Sequence, residues 1–141
     1  MKVIIKKTEI FLDTQGFCDV HDLTPQVSEF VRKSGLKQGQ VLVHVPGSTA
    51  GVTTIEFEPG VLEDLCRALE KIAPQGVPYA HDRAWGDGNG FSHVRAALMK
   101  PSLVVPVEDG RLLLGTWQQI VLLDFDNRSR RRRVILQVMG E

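Results

Sequence analysis

Between residues 79 and 93 the chain reads YAHDRAWGDGNGFSH. Two imidazoles, His81 and His93, share this stretch with the carboxylates of Asp82 and Asp87 and the amide of Asn89. Groups of this kind bind a divalent metal or move protons near neutral pH, and loops on a rigid scaffold commonly carry them. Eleven residues lie between the histidines, unlike the tight spacing of an HExxH zinc helix. By spacing alone, a solvated loop whose histidines bond locally is the simpler reading. Gly86, Gly88 and Gly90 allow the chain to turn back so that the two rings can meet, because glycine accepts conformations other residues avoid.

Further groups stand elsewhere. Ser48-Thr49-Ala50-Gly51 follows an expected strand, where small residues and hydroxyls let backbone N–H groups approach an anion; the alternative is a plain turn. No GxxxxGK[ST] or GxGxxG pattern supports nucleotide binding. Glu56 alternates onto the same strand face as Glu58, which favours solvent. His44, inside VLVHVP, reads as a bonded sheet histidine, and His21 as support for a turn. Arg128 and the run Arg130 to Arg133 could hold phosphate or nucleic acid. That run enters a strand from a hairpin turn, so alternation splits it over two faces; the expectation is a solvated hairpin that blunts a sheet edge. In Gly115-Thr116-Trp117-Gln118, the glycine suggests a bulge and Trp117 a core or subunit contact.

The elements that must position these groups follow from patterning. Residues 3–11 are rich in β-branched residues and read as a strand, with Asp13 to Gly16 as a turn. Thr24-Pro25 suits a helix start, Val27, Phe30 and Val31 form one apolar stripe, and Gly35 can stop the helix. Val41 to Val45 and Val52 to Phe57 read as strands. Leu62, Leu65, Leu69 and Ile72 mark a second helix, ended by Pro74 and Gly76. Residues 79–90 read as an aperiodic loop, and Phe91 to Met99 as a short helix. Ser102 to Val107, Arg111 to Phe125 and Val134 to Val138 read as three strands in successive hairpins. The pattern predicts a single α+β domain over residues 1–141: a mainly antiparallel sheet with two main helices and one short helix packed on it.

Composition bounds the partners. With 17 Lys and Arg against 17 Asp and Glu among 141 residues, the formal net charge is zero. Bulk attraction to nucleic acid or to an anionic membrane is therefore not expected. No apolar run is long enough to span a bilayer. Cys18 and Cys66 stand far apart and form neither a CxxC pair nor a disulfide framework, so free thiols in a cytoplasmic protein are expected.

Together these pieces resemble the YjbQ-like family, also labelled secondary thiamine-phosphate synthase. The signature stretch is SLVVPVEDGRLLLGTWQQI, residues 102–120: a serine, an apolar strand, a glycine turn, then Gly-Thr-Trp-Gln. The ending RRVILQVMGE resembles the family's closing strand. Tyr79-Ala80-His81-Asp82, Ser92-His93-Val94-Arg95 and Ser48-Thr49-Ala50 extend the likeness over most of the chain. The resemblance implies a homotrimer with its pocket near the subunit boundary. It also implies a weak or side activity that joins a pyrimidine pyrophosphate to a thiazole phosphate. In that reading His81, His93 and Glu56 are catalytic, and His81 and His93 are also the metal ligands. Ser48, Thr49, Arg95, Asp87, Thr116 and Gln118 hold the phosphorylated small molecule.

Two positions depart from the family pattern. Gly47 stands where members typically carry histidine, and Ile55 where they typically carry asparagine. The loss of an imidazole predicts at most a weakly held divalent metal, with water or an anion in the pocket rather than tight zinc. It also raises the alternative of a degenerate, non-catalytic member that binds a small anion or acts as an oligomeric binding protein.

Overall fold

The apolar segments pair into two antiparallel sheets. The computed structural model describes residues 2–141. In chain order the elements are β1 (Ile4–Thr14), β2 (Asp19–Asp22), α1 (Thr24–Ser34), β3 (Gln38–His44), β4 (Ala50–Ile55) and α2 (Pro59–Ile72). They continue with α3 (Ala80–Trp85), α4 (Gly90–Met99), β5 (Ser102–Glu108), β6 (Arg111–Leu112), β7 (Gln119–Asp124) and β8 (Arg130–Gly140). One sheet runs β1-β8-β3-β5-β6 and the other β2-β7-β4. Every pairing is antiparallel, which agrees with the expected α+β class.

β7 organises the layers. Its run Ile120-Val121-Leu122-Leu123 is apolar at every position, as a strand buried on both faces requires. Ile120 and Leu122 join Val41, Val43, Val134, Leu136 and the α1 residues Val27 and Val31 in one core. Val121, Leu123 and Phe125 turn to the opposite face, against Leu69 of α2 and Ala96 of α4. The three-stranded sheet is thus sandwiched between the five-stranded sheet with α1 and the outer pair α2 and α4. Each fully buried Leu or Val contributes about 1.5–3 kcal/mol of transfer free energy.

Local signals explain the helix ends. Gly35 ends α1 in the left-handed region at φ 75°. At its start the N-cap position is Leu23, whose side chain makes no cap; Asp22 Oδ1 accepts the Thr24 N–H at 2.9 Å, and the Thr24 hydroxyl, rather than capping, accepts the Ile120 N–H at 2.8 Å. Glu58 caps α2 through the N–H groups of Gly60 and Val61, both at 2.8 Å, and those bonds hold its carboxyl below the usual range.

Four expectations are corrected. Only β5 and β6 form a hairpin at Gly110; β7 and β8 lie in different sheets. The expected strand over 111–125 is interrupted at 113–118, where the Gln118 side chain accepts the Gly115 N–H at 3.0 Å. This break lets the chain leave one sheet for the other, and Trp117 on the turn is 72% exposed rather than core. The stretch 79–90 is not all loop, because α3 forms within it. Finally, Cys18 and Cys66 are joined in a disulfide with Cα atoms 6.0 Å apart, tying the β1–β2 connection to α2. The free thiols that argued for a reducing compartment are absent. No described helix is long and apolar enough to cross a membrane.

Candidate functional site

The site grows from alternation at the facing ends of β7 and β8. Arg130 and Arg132 are two residues apart on β8 and share a face; Asp124 ends β7, and its Oδ1 accepts the Asp126 N–H at 3.0 Å, which holds Asp126 at the same corner. Arg132 is 4% exposed and Asp124 fully buried. Arg132 Nε donates to Asp124 Oδ2 at 2.5 Å, and Nη2 donates to Asp124 Oδ1 at 2.9 Å. Burial raises the Asp124 pKa. The hydrogen bonds from Arg132, Thr14 and the Asp126 N–H more than offset this, so the carboxyl lies below its usual range. Arg130 Nη1 donates to Asp126 Oδ2 at 2.8 Å. Thr49 bridges the pairs: its hydroxyl donates to Asp126 Oδ2 at 2.9 Å and accepts from Arg132 Nη2 at 2.6 Å. The run expected to be solvated is therefore half solvated. Arg131 and Arg133 face outward toward Asp13 and Glu9, while Arg132 is a core ion.

The histidine segment docks on this corner through Asn89. Its Nδ2 donates to Asp126 Oδ1 at 3.3 Å, and its Oδ1 accepts from the Ser92 hydroxyl at 2.6 Å and from the Asn127 N–H at 3.1 Å. With the start of α4 so anchored, His93 comes to lie beside His81 of α3, ring centroids 4.3 Å apart and planes 37° inclined. Trp85 lies on the other flank of His81, at 6.4 Å. His81 Nδ1 stands 3.4 Å from Asp87 Oδ1 and 3.5 Å from Asp82 Oδ1. Asp82 Oδ1 also accepts the Gly90 N–H at 2.9 Å.

A cleft of about 490 Å³ opens between these parts, lined among others by Gly47, Ser48, Thr49, Asp87, His93 and Arg132. Ser48, Thr49, Asp87 and His93 thus share one site. Its cationic side is Arg128, Arg130 and Arg132. The local signals for it were Asp124 and Asp126, two residues apart at the end of β7, and the alternation of Arg130 and Arg132 in β8.

Several expected members lie elsewhere. Arg95 is 1% exposed and serves the fold: it ion-pairs with Glu70 at 2.5 Å and donates to the carbonyls of Ala73 and Phe17. Two helical residues turn through roughly 200°, so Arg95 faces away from His93. Glu56 is exposed just beyond the end of β4. Thr116 and Gln118 are exposed on the 113–118 turn, where Gln118 Nε2 donates to Thr54 Oγ1 at 3.1 Å. His44 bonds Ser102 at 2.5 Å and His21 bonds Asp19 at 2.8 Å.

The metal expectation also shifts. Among the described residues, the donors close enough to share an ion are His81, Asp82 and Asp87. His93 is not one of them. One nitrogen and two carboxylates suit a divalent cation, but Asp82 Oδ1 is already engaged and Asp87 is 45% exposed, which fits weak retention only.

The fold and cleft define a small two-sheet α+β protein with a histidine- and arginine-lined polar site. The family described as UPF0047 protein YjbQ-like matches residues 8–141, and the chain belongs to that family. A UPF0047 protein of Archaeoglobus fulgidus is 42% identical over 131 residues, covering 93% of this chain and 99% of that protein. UPF0047 protein YugU of Bacillus subtilis is 35% identical, covering 84% and 88%. Among solved structures, a YbjQ-like protein of unknown function from Sulfolobus solfataricus P2 superposes with a TM-score of 0.94 at 30% identity, covering 99% of this chain and 100% of that one. A Clostridium acetobutylicum member of the YjbQ/UPF0047 family gives 0.85 at 35%, covering 93% and 98%.

Proposed function

We propose that the cleft beside His93 binds a small phosphorylated molecule and that the chain is a weak thiamine-phosphate synthase-like transferase. The observation that carries this reading is that His93 shares the cleft with Arg128, Arg130 and Arg132; His81 packs behind His93 and does not line the cleft itself. In the reaction, a thiazole nitrogen attacks the methylene carbon of the pyrimidine pyrophosphate. The carbon–oxygen bond breaks, and pyrophosphate leaves with the electron pair. Cationic donors stabilise that departing charge. No hydrogen bond within the described residues engages a ring nitrogen of His93, which leaves it available to a ligand or a proton. A divalent cation held weakly by His81, Asp82 and Asp87 would add to the charge stabilisation.

Gly47 favours a second reading, a non-catalytic anion-binding member, because it removes a side chain from the cleft wall. Incubation with both substrates, with and without added magnesium or manganese, separates the two. Product that disappears in His93→Ala supports the transferase. Phosphate-ligand binding without product, and gain of product in Gly47→His, supports the degenerate site. Assembly as a homotrimer is part of the same proposal. The exposed apolar side chains of Val104, Leu113 and Trp117 offer surface to bury. Light scattering showing only monomer at micromolar concentration would exclude it.

A further inference from the structure

Arg132 spends only part of its guanidinium on the fold. Nε and Nη2 are committed to Asp124 and Thr49. Nη1 has no hydrogen bond within the described residues, although the side chain as a whole is 96% shielded (4% exposed). The reason Nη1 reaches the cleft is Gly47. A Cβ placed on Gly47 would stand 3.2 Å from Nη1, tighter than ordinary contact, and Gly47 sits at φ +126°, where side chains are strained. A side chain at this position would crowd Nη1, which would have to give by a few tenths of an ångström to admit even a Cβ.

The surroundings fit an anion rich in acceptor oxygens. Gly47, Ser48 and Thr49 donate no backbone hydrogen bond within the described residues, a run of free N–H groups beside the guanidinium. Arg128, on the same cleft, is exposed and makes no ion pair among the described residues. Two acids share the cleft: Asp126, 3.8 Å from Arg132 Nη2, is already engaged by Arg130 and Thr49, whereas Asp87 is half-exposed and repels an anion, which leaves the end near Gly47 and Arg132 Nη1 as the place for one. A planar guanidinium edge, a second arginine and adjacent N–H groups match a phosphoryl group better than a single carboxylate.

We infer that Gly47 unmasks Arg132 Nη1 as the anchoring donor for a phosphoryl group of the ligand, so that Gly47 determines which ligands the cleft takes. This rests on the reading that the cleft binds a phosphorylated molecule. The test titrates inorganic pyrophosphate, then inorganic phosphate, into the wild-type protein, following heat by calorimetry and the arginine Nε–Hε resonances by NMR. Expected are 1:1 binding, a shift of the Arg132 resonance, and loss of affinity of roughly tenfold or more in Gly47→Ala, the scale of one charge-assisted hydrogen bond. A weaker loss is expected in Arg128→Ala, which sits in an exposed position. The NMR arm uses unaltered protein, so it stands even if Gly47→Ala folds poorly. If pyrophosphate binds with the Arg132 resonance unmoved and Gly47→Ala at wild-type affinity, this inference fails and the phosphate-pocket reading survives. If neither ion binds at millimolar concentration, both fail.

Discussion

The rings of His81 and His93 stand 4.3 Å apart, centroid to centroid, on two different helices. Neither helix holds them together alone. Asn89, buried against Asp126, fixes the start of α4 and so the distance. Both imidazoles are only half-buried and lie outside the two hydrophobic clusters.

His81→Ala and His93→Ala are therefore expected to lower stability by less than about 1 kcal/mol, as partly exposed polar positions usually do, while ligand affinity falls. Chemical denaturation beside a binding titration checks this. A cooperative loss of several kcal/mol in either variant would mean that the pair is structural.

The buried Asp124–Arg132 pair sets an acid limit. Because the Asp124 carboxyl is depressed in the fold, its stabilising contribution is complete above the unfolded carboxylate pKa of about 3.9. It is lost as pH falls through the lower native value. Stability measured by urea unfolding should decline as pH falls below about 4, and the decline should flatten in Asp124→Asn. At neutral pH, Arg132→Met leaves Asp124 buried and unpaired and should cost about 3–5 kcal/mol. Equal slopes for Asp124→Asn and wild type would remove Asp124 as the titrating group.

The Cys18–Cys66 bond closes a loop spanning 48 positions. Chain-entropy arguments give about 4 kcal/mol for a loop of that length. Cys66→Ser, or the wild type in reductant, should lower the denaturation midpoint accordingly. Unchanged midpoints, together with two thiols titrating in the purified native protein, would show that the bond is not formed in solution.

Arg95 separates stability from binding. It is buried, its partner Glu70 is half-exposed, and it also donates to the Ala73 and Phe17 carbonyls, so Arg95→Met should destabilise by about 1–3 kcal/mol. Affinity for pyrophosphate, measured on the folded fraction, should stay near wild type. Selective loss of affinity without loss of stability would return Arg95 to the ligand.

Much was legible in the residues themselves. Period-two and helical spacing placed α1, α2, α4 and most strands, because each buries one face and local chemistry marks its ends. The Glu58 cap of α2 and Gly35 at the end of α1 are local in the same sense. Even the split of the arginine run is a two-residue periodicity, and so is the turning of Arg95 away from His93 within one helix. Partner choice across the chain was decided elsewhere. That β7 leaves the β5–β6 hairpin for a second sheet depends on burying both its faces, which no local window encodes. Whether inward arginines meet water or Asp124 depends on which strand lies opposite. The disulfide, the approach of His93 to His81, and the close approach of Gly47 to Arg132 are likewise contacts between distant segments. They exist only once the hydrophobic layers have stacked, because only that packing brings such groups within bonding distance while excluding the water that would otherwise satisfy them.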